Sequence, residues 1–236
     1  MNESVVQLQS AFILRHKKYR ETSLIFEVLT KEFGIVSILA KGVRKKKSKL
    51  AGLLLPFSFL KLSYVGKNDL KILTHVELDS LNHPLKGLSL YCGFYINELV
   101  FFFLHKYDPH PEIFTEYQRC LILLSHSSVE VEQSLRFFEL NLIEYLGYGI
   151  QLNYDAKLAT LVKENAMYLF SPELGMIEHS KGYISGSSLL ALGERSDLNK
   201  QALYESKQLM RRIIDFQLKG KELKSRQVLA QIIKQL

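Results

Sequence analysis

The chain reads as an α+β protein: a five-stranded β-barrel over residues 1–80, then a mainly α-helical domain over residues 81–236. Three observations carry that reading. Up to about residue 80, apolar residues recur with period two in short runs separated by turn residues, the mark of strands. From about residue 84 the period lengthens to that of an amphipathic helix. The excess of positive charge stops at the same place, so the two parts differ in composition as well as in pattern.

Taken in order, Val6, Leu8, Phe12 and Leu14 share one face of an extended segment, with Gln7, Gln9 and Arg15 on the other. Leu24 to Thr30 and Ile35 to Ala40 are short aliphatic runs joined by Lys31-Glu32-Phe33-Gly34, a natural hairpin turn. Phe57 to Val65 follows Pro56, and Gly66 to Asp69 turns the chain into Leu70 to Leu78. There Leu70, Ile72, Thr74, Val76 and Leu78 alternate with Lys71, His75 and Glu77. Five short strands with a longer connection between the third and fourth suit a small closed barrel. The OB-fold is the leading candidate and an SH3-like barrel competes with it.

Beyond a boundary at residues 79–84, Leu88, Tyr91, Cys92, Tyr95, Ile96, Leu99, Phe102 and Phe103 fall on one helical stripe. Leu135, Phe138, Leu142, Tyr145 and Leu146 form a second stripe. It starts behind a Ser127/Glu130 capping box and stops at Gly147 and Gly149. Pro84, Pro109 and Pro111 punctuate the connections, and residues 166–185 form a small irregular β excursion. Helices resume around Ser187 to Leu192, Lys200 to Lys219 and Arg226 to Leu236.

A composition of 47% hydrophobic and 23% charged residues is that of a globular protein, and a chain of 236 residues buries a core without disulfides or metals. Cys92 and Cys120 are far apart in apolar surroundings, as buried free thiols are. The N-terminus lacks the basic and apolar segments of a signal peptide, and the longest apolar run, Leu99 to Leu104, is too short to cross a bilayer. A reduced, cytoplasmic protein without a membrane partner is expected.

The net charge of +7 is informative once located. Residues 1–80 hold fourteen Lys and Arg against seven Asp and Glu, while the rest of the chain holds seventeen of each. The whole excess belongs to the first third, which points to a polyanionic partner there, nucleic acid first and anionic membrane second. Its densest part is Lys41-Gly42-Val43-Arg44-Lys45-Lys46-Lys47-Ser48-Lys49, between two strands. Crowded like charges cost free energy unless a counter-charge is near, and phosphates supply one while releasing condensed counterions. A merely solvated loop is the alternative. Arg15, Lys17, Lys18 and Arg20, with Tyr19 among them, make a second cluster in the first strand-to-strand connection, which in an OB-fold flanks the oligonucleotide groove. Phe12, Tyr19 and Tyr64 are candidates for base stacking, with core packing as the competing role.

No catalytic constellation is visible. GxSxG, P-loop and post-strand GxGxxG motifs are missing, and His105, Asp108 and His110 sit at a helix end without a fourth ligand. A non-enzymatic binder that needs no cofactor or metal is expected. Near the C-terminus, Arg211, Arg212, Lys219, Lys221, Lys224 and Arg226 lie beside Leu218 and Leu223. Basic ground mixed with apolar residues suits an acidic-hydrophobic peptide or further DNA, and a solvated helix end is the alternative.

The ordered motifs resemble the RecO family. Tyr19, Glu21 and Ser23 fit a Y-x-E-x-S turn, and Thr30, Glu32 and Gly34 a T-x-E-x-G hairpin. Lys41, Gly42 and Arg44 with the following lysines fit K-G-x-R, and Leu54 to Phe57 an L-x-P-F segment. The similarity continues through YINELV (Tyr95 to Val100), FELNLIEYLGYG (Phe138 to Gly149), FSPELG (Phe170 to Gly175) and LKSRQVL (Leu223 to Leu229). The resemblance implies an N-terminal OB-fold that binds single- and double-stranded DNA and a protein that anneals complementary strands. It also implies work with RecR to load RecA onto DNA coated by single-stranded DNA-binding protein, whose acidic C-terminal tail it contacts. Carried over by motif, DNA binding falls on Arg15, Lys17, Lys18, Arg20, Lys41, Arg44, Lys45, Lys46, Lys47 and Lys49. Many members carry a four-cysteine zinc site after the LGYG segment. Here that stretch reads Gln151-Leu152-Asn153-Tyr154-Asp155 and no cysteine follows Cys120, so a zinc-lacking member is expected and residues 151–185 must hold together by packing. An RNA- or ribosome-associated OB protein and a nuclease are the rival functions.

Overall fold

The computed structural model describes residues 5–79, 84–126 and 130–233. They pack as two compact units, one of residues 1–125 with 223–236, the other of residues 126–222.

The first unit begins with β1 (Val5–Tyr19), β2 (Ser23–Thr30), β3 (Gly34–Ala40), β4 (Leu60–Val65) and β5 (Leu70–Leu78). They close into a barrel in the order β1-β2-β3-β5-β4, with β3 and β5 parallel and the other neighbours antiparallel. This is the OB-fold, which excludes the SH3-like alternative. Ala11, Ile13, Phe26, Val28, Val36, Ile38, Leu60, Leu62, Tyr64 and Val76 fill the lumen, with Val43 and Leu54 from the long third connection.

The first strand departs from simple alternation. Its register shifts against β4 between Val6 and Gln9, and against β2 between Ile13 and Arg15. Leu8 takes φ 49° and is exposed, while Gln9 is buried, so the expected face of Val6, Leu8, Phe12 and Leu14 is split. Val6, Ala11 and Ile13 serve the lumen, whereas Phe12 and Leu14 are buried against the outside. A bulge inserts one residue and exchanges the two faces, which period-two counting does not anticipate.

The outer face of β1–β2–β3 is covered by α1 (Gly87–Phe103) and α2 (Pro111–Ser125) and by the chain between them. Helix α2 carries Cys120 in the buried helical position expected of it; Pro111 opens the helix, in the position where a missing N–H costs nothing. Cys92, Ile96, Leu99 and Val100 line the buried stripe of α1, and Leu88, expected there, is exposed. Asn97 is the polar member of that stripe. Its amide donates to Ile13 O at 3.3 Å and Leu14 O at 2.9 Å, carbonyls beside the β1 bulge, and its Oδ1 accepts from the Tyr117 hydroxyl. Burial pushes the Tyr117 phenol well above its ordinary pKa, so it stays a donor. The last helix, α6 (Lys224–Ile233), also belongs to this unit. Glu98 of α1 accepts from Lys224 N at 3.0 Å, Ser225 N at 2.9 Å and Ser225 Oγ at 2.5 Å, a carboxylate on the helix N-terminus.

The second unit comprises α3 (Val131–Tyr145), β6 (Tyr154–Asp155), β7 (Thr160–Leu161), β8 (Met167–Ser171), β9 (Gly175–Glu178), β10 (Ile184–Ser185), α4 (Gly186–Glu194) and α5 (Lys200–Gln217). The β excursion expected near 166–185 is the sheet β10-β8-β9. At the start of α3 the expected capping box does not form as read: Ser127 lies outside the described residues, and Glu130 occupies the N-cap without a side-chain cap. Gly147 at φ 78° ends that helix, as expected. Residues 151–185 hold together by more than packing. The buried Asp155 carboxylate accepts from Lys157 N at 2.8 Å, Leu158 N at 2.7 Å and Glu178 N at 2.5 Å. Burial works against its ionisation, but the three amides and nearby Lys163 prevail and hold its pKa below the usual carboxylate range. Among the described residues no group of three or more His, Cys, Asp or Glu is placed to hold a metal ion, and no helix is long and apolar enough to cross a membrane.

Candidate nucleic-acid interface

Two basic segments distant in sequence meet at one end of the barrel. Strand β1 continues to Tyr19, so Arg15, Lys17 and Lys18 lie on the strand and not in the connection where the sequence reading put them. The connection itself is a short turn from Arg20, at φ 50°, to Thr22. A strand extends this far because Lys17 and Lys18 pair with Ile25 and Leu24 across the ladder.

The second segment leaves β3 after Ala40. Gly42 at φ 73° lets the chain turn sharply, and Val43, buried in the lumen, anchors it. Beyond that anchor, Lys45 N donates to Gly42 O at 3.1 Å and Ser48 N to Lys45 O at 3.0 Å, so the lysine run is a compact series of turns. Arg44 ties the two segments together: its backbone N–H donates to Thr22 O at 2.9 Å and its Nη1 to Arg20 O at 3.2 Å. The K-G-x-R motif therefore has a structural meaning, with glycine for the turn and arginine for the tie.

Arg15, Lys17, Lys18, Arg20, Lys41, Arg44, Lys45, Lys46, Lys47 and Lys49 are all exposed. Among the described residues none of them makes an ion pair. Arg15 rests its guanidinium 3.4 Å above the Phe101 ring and so covers that ring. The result is a rim of positive charge with little internal compensation, which raises the local concentration of polyanions.

The stacking candidates fare differently. Phe12 is 2% exposed, with Phe59 stacked at 5.1 Å and Tyr117 edge-on at 5.0 Å. Tyr64 is 2% exposed in the lumen, and burial raises its phenol to a pKa of about 12. Both are core residues, and neither meets a base. Tyr19 is half-buried at the rim, with the Arg20 guanidinium 5.3 Å from its ring.

The T-x-E-x-G hairpin is a structural device at the other end of β2 and β3. Thr30 Oγ1 donates to Gly34 O at 2.8 Å and accepts from Phe33 N at 3.1 Å. Gly34 takes φ 65°, and a Cβ there would lie 2.3 Å from Asp108 O. The chain between α1 and α2 is thereby drawn against β3: Tyr107 N donates to Ile35 O at 3.2 Å, and Lys106 Nζ reaches Ser37 Oγ at 2.5 Å and Glu27 Oε2 at 3.6 Å. In the same stretch His110 lies 3.4 Å from Asp108 and 3.2 Å from Glu112, two carboxylates that occupy its ring nitrogens.

The C-terminal basic set is divided. Arg211, Arg212, Lys219 and Lys221 belong to the second unit, and Lys224 and Arg226 to the first. Arg211 lies 3.8 Å from Asp215, Arg212 sits 4.3 Å over the Tyr183 ring, and Arg226 Nη2 donates to Tyr95 Oη at 3.4 Å. The roles of Asn97 and Glu98, which join helices to strand and to one another, were not legible, because nothing local marks a long-range partner.

Comparison with known proteins agrees with this geometry. Residues 4–81 match the family model described as Recombination protein O N terminal, and residues 85–227 match Recombination protein O C terminal. Curated relatives called DNA repair protein RecO include those of Coxiella burnetii, 40% identical over 95% of this chain and 98% of the relative, and Pasteurella multocida, 38% identical over 98% of each. That of Methylococcus capsulatus is 37% identical over 95% of this chain and 93% of the relative. With both halves matched and identity sustained along the whole length, the chain belongs to the RecO family of DNA repair proteins.

Proposed function

We propose that this protein is a recombination mediator that binds single- and double-stranded DNA at the basic rim, anneals complementary strands and helps to load RecA. The observation that carries this is the Arg44 tie, which merges the Arg15–Arg20 and Lys41–Lys49 clusters into one surface. A surface of that charge neutralises phosphates on two strands at once and lowers the electrostatic barrier between them; base pairing then drives annealing without any bond chemistry. The partners in this reading are DNA, RecR and the acidic C-terminal tail of single-stranded DNA-binding protein, in a cytoplasmic, nucleoid-associated setting. For the tail or for further DNA, Arg211, Arg212, Lys219 and Lys221 are the ground offered by the second unit and, separately, Lys224 and Arg226 that offered by the first.

The test is annealing of complementary oligonucleotides, bare and coated with the cognate single-stranded DNA-binding protein. The protein is expected to accelerate both. A variant with Lys45, Lys46 and Lys47 all changed to Ala should bind single strands at least about tenfold more weakly, with a salt slope shallower by roughly 2. Unchanged affinity and slope in that variant would remove the rim from the function. Acceleration on bare strands alone would remove the contact with the coating protein.

A further inference from the structure

We infer that the rim holds a nucleic-acid strand by its sugar-phosphate backbone alone and leaves the bases unstacked and free to pair. The inference rests on the DNA-binding reading above and specifies what that site recognises. OB-folds that bind single strands combine a basic groove with aromatic platforms on the outer sheet, each worth a sizeable part of the affinity. Here the wall where such platforms would stand is closed. On β2 and β3 the outward residues Ile25, Glu27, Leu29, Ile35 and Ser37 are buried, and on β1 Phe12 and Leu14 are buried too.

What seals the wall belongs to the same compact unit and is bonded to it. Asn97 holds α1 to β1, and Lys106 and Tyr107 hold the following segment to β3. Opening a base-sized slot there would take Lys106 away from the buried Glu27–Ser37 pair and the Asn97 amide away from the carbonyls of Ile13 and Leu14.

The rings left near the rim are few. Phe101 is covered by Arg15, and Tyr19 is half-buried beside Arg20. His16 is exposed, but its ring lies 5.6 Å from that of the core residue Phe26, tilted by 51°, at the mouth of the barrel. Apart from His16 and Glu21, the exposed side chains of residues 15–21 and of the Lys41–Lys49 loop are lysines and arginines, whose natural ligand is phosphate. A strand held this way keeps its Watson–Crick edges outward. That is what a second strand needs in order to pair without first displacing bases from the protein.

The experiment compares a labelled oligonucleotide with an abasic strand of the same length, titrated with the full-length protein at several salt concentrations. The inference expects affinities within about twofold of each other and equal salt slopes, and it expects 2-aminopurine in the normal strand to keep its fluorescence at saturation. Abasic binding weaker by about fivefold or more, the loss of even one stacked base, would overturn it while leaving the DNA-binding reading intact. Failure of both strands to bind at low salt would overturn the reading and the inference together.

Discussion

The rim and the β1–β2–β3 wall are built on the same strands, yet they treat polar groups in opposite ways. On the wall every polar side chain named above is answered inside the protein: Asn97 by two carbonyls and Tyr117, Glu27 by Ser37 and Lys106. At the rim a run of cations is left exposed, and among the described residues none of them makes an ion pair. Buried polar groups must be paired because desolvation is costly, whereas exposed cations tolerate solvent and hold their field for a ligand. The contrast teaches where to look for function in this fold. The face that serves other OB-folds as a binding platform is here a structural seam, and the exposed positive charge lies at its end.

That contrast can be broken or sharpened by substitutions that touch the wall and leave the rim alone. The largest effect is expected for Asn97→Leu, which strands the Tyr117 hydroxyl and the Leu14 carbonyl in a dry interior. Stability should fall by about 3–5 kcal/mol in denaturant unfolding, with DNA affinity of the folded protein unchanged. A specific loss of binding in a stably folded Asn97 variant would show that the wall takes part in recognition.

Next is Gly34→Ala. The left-handed backbone and the approach of Asp108 O leave no room for a methyl group, so the segment after α1 must lift from β3. A loss of about 2–3 kcal/mol is expected, read as a melting temperature lower by roughly 5–10 °C. A melting temperature within a degree of the parent would mean that this seam is looser than its geometry implies. The smallest effect is expected for Tyr64→Phe. Among the described residues the Tyr64 hydroxyl is buried without a hydrogen-bond partner, so its removal should be neutral or stabilising by up to about 1 kcal/mol. Strand binding should stay within error. Weaker binding would show that the Tyr64 hydroxyl takes part in holding the strand.

Much of the fold was legible because it is written in local periods. The four strands after β1, the long third connection and the helical stripes follow from spacing and turn residues, and the basic character of the Lys41–Lys49 loop from composition. Strand β1 was misread at the phase level. Leu8 and Gln9 exchange faces at a bulge, and a strand covered on both sides carries apolar residues on both, so alternation no longer reports which side is inside. Phe12 and Tyr64 looked available for bases because aromatic identity says nothing about burial. Asp155 gave no local sign that it would gather three amide donors from chain segments up to 23 residues apart.

The sequence alone therefore determined most of the elements, the family and the place of the excess positive charge. Each of these depends on residue types at short spacing, where periodicity, turn preference and charge density act directly. Tertiary structure decided that Arg44 joins two clusters more than twenty residues apart and that α1 and α2 close the wall. It also returned α6 to the first unit through Glu98. Those outcomes depend on pairing buried donors with acceptors that are distant along the chain, and such partners are chosen only when the whole core is packed at once.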